Sequence, residues 1–171
     1  IALGVATLII VMSVMNGFRT ELISKFLGVN GHFKIEKYDN SKISDYGILI
    51  NQLESKDLGL NVEPTIISQG LVSSKGFSSG IFIKGISESG LSKRKIFSKE
   101  LSAQQLDYFQ SNKGILIGKK LKHRLNLEIG ENISIISSKF VSTPFGELIR
   151  NSNFTVIGTF ETGMFEYDIS L

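Results

Sequence analysis

The run Gly114-Ile115-Leu116-Ile117-Gly118-Lys119-Lys120 sets two glycines ahead of paired lysines, the ingredients of a loop that cradles phosphate. Such a loop needs four residues between its glycines and a hydroxyl after its lysine. Here the three intervening residues are all apolar and neither Ser nor Thr follows. The run therefore reads as a buried strand turning into a helix. A second grouping, Glu161, Glu166 and Asp168, holds carboxylates near the end of the chain. If that segment is a strand, Glu166 and Asp168 share a face, as a period of two requires. A metal or acid–base cluster is one reading. A solvated face, or ion pairs with nearby lysines, is the simpler one. His32 and His123 are the two imidazoles, far apart in sequence, and there is no cysteine. His32 reads as a structural, hydrogen-bonded imidazole, with a pH-reading role as the alternative. A disulfide, a thiolate metal site and a cysteine nucleophile are all excluded, and a nucleophile elbow or a His-Glu-x-x-His helix is missing too. The sequence predicts no catalytic residue, no metal and no cofactor.

Whatever this chain does must then reside in its surfaces and in the elements that carry them. A 42% hydrophobic content supports a sizeable core, and a net charge of +3 with mixed lysines and acids gives no nucleic-acid stripe. The chain starts with Ile, inside an apolar run, and stops in the sequence Glu166-Tyr167-Asp168-Ile169-Ser170-Leu171, which reads as a strand. It is expected to be a piece of a longer protein.

Residues 1–15 carry no charge, and Thr7 and Ser13 are their polar interruptions. That is short of the roughly 20 residues that cross a bilayer, and a buried core helix is the alternative. The pattern continues, however: Phe18, Leu22 and Phe26 recur at helical spacing while Arg19, Glu21 and Lys25 take other faces. One continuous helix is predicted, leaving the bilayer as an amphipathic stalk and stopping at Gly28. Met12 and Met15 are flexible and polarisable, which suits a surface meeting acyl chains, and Val11 and Phe18 join them as candidate lipid contacts. Downstream, strands are predicted at 32–38, 62–73, 80–86, 114–117, 133–137 and 154–160, and helices at 44–55, 102–110 and 118–125. The lysines Lys119, Lys120 and Lys122 read as a solvated face. Residues 138–153 are too long for an ordinary hairpin loop of about two to five residues, yet they include Phe140, Val141, Phe145, Leu148 and Ile149. A projecting hairpin arm fits them better, with packing back onto the domain as the alternative.

These segments resemble a family. The run Gly4-Val5-Ala6-Thr7-Leu8-Ile9 to Ser13-Val14-Met15-Asn16-Gly17-Phe18 looks like the end of the first transmembrane helix of the lipoprotein-releasing permeases, LolC and LolE. Matches follow in order at Leu27-Gly28-Val29-Asn30-Gly31-His32, Glu63-Pro64, Gln69-Gly70-Leu71-Val72, Ile83-Lys84-Gly85-Ile86 and residues 114–118. Thr143-Pro144-Phe145-Gly146, residues 154–160 and the tail from Glu161 to Asp168 complete the series. The resemblance implies an α+β fold: residues 1–28 as transmembrane helix end and stalk, then 29–171 as a mixed periplasmic domain of the MacB-like type with an arm at 138–153. It implies a bacterial inner-membrane permease that is not itself an enzyme. Its partners would be a LolD-like cytoplasmic ABC ATPase, a second permease protomer, lipoprotein substrates and a LolA-like periplasmic carrier. In LolC-like members the arm receives the carrier, which nominates Phe140, Val141, Thr143, Pro144, Phe145, Gly146 and Arg150.

Two other functions remain open on the sequence. One is a related permease that transmits motion to efflux or to cell-wall hydrolases, which would not need the arm. The other is a membrane-anchored extracellular sensor for a small ligand.

Overall fold

The computed structural model describes residues 1–39, 41–56, 59–98, 101–110, 114–144 and 146–171. They fall into two units, Ile1–Ile35 and Glu36–Leu171.

The first unit is built on helix α1 (Ala2–Asn30), 29 residues long and so about 43 Å at 1.5 Å per residue. It does not stop at Gly28 as predicted. Gly31 ends it, at φ 78°, with its N–H donating to the Leu27 carbonyl at 2.9 Å. The left-handed backbone needed at a helix end is open to glycine without steric cost. Within α1, Glu21 pairs with Lys25 one turn later at 2.7 Å, the favourable order for that spacing. Residues 32–38 were expected as a strand and are irregular. Phe33 and Ile35 stay exposed; alternation makes a strand only where a neighbouring strand accepts the ladder.

The second unit opens with α2 (Tyr46–Glu54), entered through Asp45. Strands β1 (Thr65–Ser74) and β2 (Phe77–Ile86) form a hairpin. The polar turn expected at 74–79 contracts to Lys75 and Gly76, both at positive φ, the signature of the tight turn whose twist matches the strands. Lys75 is held there by Glu131, at 2.5 Å. Two short helices that the sequence reading did not foresee follow, α3 (Glu88–Lys93) and α4 (Lys95–Ser98). Ser87 caps α3, accepting from the Gly90 N–H, and its hydroxyl donates to the Glu63 carboxylate.

Helix α5 (Ala103–Gln110) begins with a reciprocal cap: the Ser102 N–H donates to Gln105 Oε1 at 2.8 Å, and the Gln105 N–H donates back to Ser102 Oγ. Strand β3 (Gly114–Gly118) then turns directly into α6 (Lys119–Arg124). Helix α6 closes with Asn126 at φ 49°. Leu127 N–H reaches back to Lys122 O and Asn126 N–H to His123 O, the two bonds that satisfy the last carbonyls of a helix. The chain continues through β4 (Asn132–Thr143) and β5 (Gly146–Phe160). Its last element, α7 (Phe165–Ser170), is a helix where a strand was predicted.

Among the described residues the sheet runs β2-β1-β4-β5-β3, antiparallel except for the β3–β5 pair. Helix α7 touches both outer strands, β2 and β3, so the sheet is curled until one helix spans its two edges. The core lies inside that curl: Val72, Ile81, Ile117, Leu121, Leu125, Leu127, Ile133, Ile135 and Val156. Burying a side chain of this size contributes about 1.5–3 kcal/mol. A bulge where β3 meets β5 leaves Ile157 without a strand partner. Gln105 of α5 fills the gap by donating to the Ile157 carbonyl. Phe97 closes the same end edge-on against Phe160, with ring centroids 5.1 Å apart.

Candidate functional site

On α1, residues 11, 15, 18 and 22 recur at intervals of four, three and four, so Val11, Met15, Phe18 and Leu22 form one stripe. All four are exposed, Met15 at 60% and Phe18 at 59%. Met12 is exposed as well but lies about a quarter-turn away. Ser13, Gly17, Thr20 and Ser24 line the opposite side of the helix. The structure thus brings three of the four nominated lipid contacts together. An 18-residue window of α1 has a mean hydropathy of 1.6 and is 0% buried within the chain, which makes α1 long and apolar enough to cross a membrane.

The nominated arm takes the form of a two-stranded ribbon. Beyond the body of the sheet, β4 and β5 continue with pairs Phe140↔Ile149, Val141↔Leu148, Ser142↔Glu147 and Thr143↔Gly146. The strands predicted to end at Ser137 and to restart at Phe154 therefore extend almost to the tip. Two successive apolar pairs, Phe140↔Ile149 and Val141↔Leu148, lie within this ladder. Between Ile136 and Phe140 the register shifts, as it does at a β-bulge. Strand β1 pairs with β4 at Ser134 through Ser137 and no further; β3 pairs with β5 from Thr155 onward. Among the described residues neither the β1 nor the β3 ladder runs on along the ribbon. Pro144 and Gly146 are exposed at the tip, Gly146 at φ 121°. Arg150 is exposed and faces the bulged residues. Phe145 lies outside the described residues, and the structure describes Phe140, Val141 and Thr143 through their backbone alone.

The residues that first suggested chemistry have structural work. Lys119 pairs with Glu161 at 3.1 Å, Lys122 with Glu128 at 3.0 Å, and the Lys120 ammonium stands 4.4 Å above the Phe165 ring. Lys119 and Lys120 are exposed, whereas Lys122 is partly covered. Helix α7 separates Glu166 from Asp168 by about 200°, so the shared face expected of a strand does not form. Glu166 is exposed and its backbone carbonyl accepts from the Ser170 hydroxyl. Asp168 is 1% exposed. Rather than facing solvent, it accepts from the Thr162 N–H at 2.7 Å and the Thr162 hydroxyl at 2.8 Å. This clamp fastens α7 to the end of β5, and nothing in the local sequence pattern announced it. His32 and His123 are both exposed. Among the described residues no group of three or more His, Cys, Asp or Glu side chains could hold a metal ion.

A family model described as the MacB-like periplasmic core domain matches residues 1–169. The lipoprotein-releasing system transmembrane protein LolC of Neisseria meningitidis serogroup B is 33% identical over 172 residues, covering 100% of this chain and 41% of that protein. LolC of Xylella fastidiosa is 27% identical over the same shares. The transmembrane protein LolE of Haemophilus influenzae is 26% identical over 142 residues, covering 81% of this chain and 34% of that protein. The chain spans about two-fifths of the length of the curated LolC relatives it matches.

Proposed function

The chain belongs to the MacB-like periplasmic core domain family, and from that premise we propose that it is part of a permease subunit of an ABC transporter that releases lipoproteins from the bacterial inner membrane. Residues 1–28 are the end of the first transmembrane helix and its stalk. Residues 29–171 are periplasmic, with the ribbon at 138–153 as the arm that receives a LolA-like carrier. A LolD-like ATPase on the cytoplasmic side supplies the energy, and a second permease protomer completes the path.

The observation that supports this best is the 33% identity to a LolC protein along the whole chain, through helix, sheet and ribbon alike. The physical features agree with it. An uncharged helix that runs unbroken into a stalk carries movement between lipid and water without a hinge. The stripe of Val11, Met15 and Phe18, with Met12 beside it, offers soft apolar contacts to acyl chains. At the ribbon tip, Pro144 restricts one backbone angle and Gly146 permits a tight bend, so little ordering is left to do on binding. Phe140 and Phe145 are the anchors there, Val141 and Thr143 flank them, and Arg150 pairs with a carboxylate of the carrier.

Reconstitution tests this. The full-length protein, its ATPase and a lipoprotein are placed in liposomes, and lipoprotein transferred to soluble carrier is measured on adding ATP. Transfer should require the protein and should collapse when residues 140–149 are replaced by a short turn. Undiminished transfer by the shortened protein would remove the ribbon from the mechanism, and absence of transfer by the intact system would remove the lipoprotein-releasing function.

A further inference from the structure

We draw no further inference here: the strongest candidate, the apolar cavity of about 80 Å³ inside the curl of the sheet, between Ile81 and Ile83 of β2 and Ile115 and Ile117 of β3, carries nothing because nothing in the structure shows what fills it.

Discussion

Replacing Gly118 by alanine adds one carbon where β3 turns into α6. The backbone there, at φ −62° and ψ 142°, suits any residue, so no conformational strain enters. The cost is one of space. A Cβ at this position would lie 2.2 Å from the Asp168 carbonyl oxygen and 2.6 Å from its carbonyl carbon, both backbone atoms of α7. An unstrained carbon–oxygen contact is about 3.3 Å or longer, so α7 has to retreat by roughly 1 Å. Two attachments oppose that retreat. Gly118 N–H donates to Leu171 O at 2.9 Å, and the Asp168 side chain is held by Thr162. Overpacking costs about 1–3 kcal/mol, and loosening one backbone bond adds about 1 kcal/mol. The expected loss is about 2–4 kcal/mol, a fall of roughly 5–15 °C in Tm for a chain of this size. Thermal unfolding followed by circular dichroism in detergent micelles measures it, with Gly80→Ala as the control. Gly80 lies within a strand too, but no atom comes within 4 Å of its notional Cβ. A Gly118→Ala loss below about 0.5 kcal/mol, or an equal loss in Gly80→Ala, would refute the close-packing argument.

Asp168→Ala should cost about 1–3 kcal/mol by leaving the buried Thr162 N–H unpaired, its hydroxyl retaining the Met164 carbonyl at 3.3 Å, while Asp168→Asn, which keeps an acceptor, should cost less than about half of that; urea titration separates them. Phe145→Ala should weaken carrier binding by about 1–3 kcal/mol without moving the thermal midpoint, and equal affinities in a titration would remove Phe145 as an anchor. Lys75 holds the Glu131 carboxyl below its ordinary range, helped by the Glu128 N–H. A depressed carboxyl contributes stability above its unfolded pKa, about 4.3, and loses it as pH falls through the lower folded value. Lys75→Met should flatten that acid-side decline in a pH series of melts; an unchanged slope would contradict the assignment. Photo-crosslinkers placed at Met12 or Met15 should label the acyl chains of a lipoprotein in membranes, and full-length protein released by alkaline carbonate would negate the anchor.

Elements that carry their own local signal were legible in the sequence. The uncharged run of α1 was one. The β-branched pair β1 and β2, the strand at Gly114 and the helix opened by Ser102 were others. Long-range partnership was not legible. Residues 32–38 alternate like a strand but join no sheet among the described residues, whereas residues 138–153 look like a connection and become strands because β4 and β5 pair with each other. In the tail, Glu166-Tyr167-Asp168-Ile169 mimics a period of two. The overlooked signal was the pair of acids in a first helical turn, where the helix dipole favours them. Of the candidate site, the length and apolar content of residues 138–153 pointed to a hairpin, and the pairing of Phe140 through Thr143 with Gly146 through Ile149 was not legible. Nor did the sequence show where β1 stops pairing with β4, because that depends on the register of another strand.

The bulge between Ile136 and Phe140 has an evolutionary meaning. It isolates the register of the ribbon from that of the five-stranded body. Residues can be inserted or deleted beyond it without displacing any core side chain, provided they come in matched pairs on both strands, since an odd change would swap the two faces of the ribbon. The domain is arranged as a fixed body carrying an appendage of adjustable reach. Related chains can therefore be expected to differ in arm length by even steps per strand while their cores superpose, and an arm exchanged between relatives at the bulge should be accepted by either body.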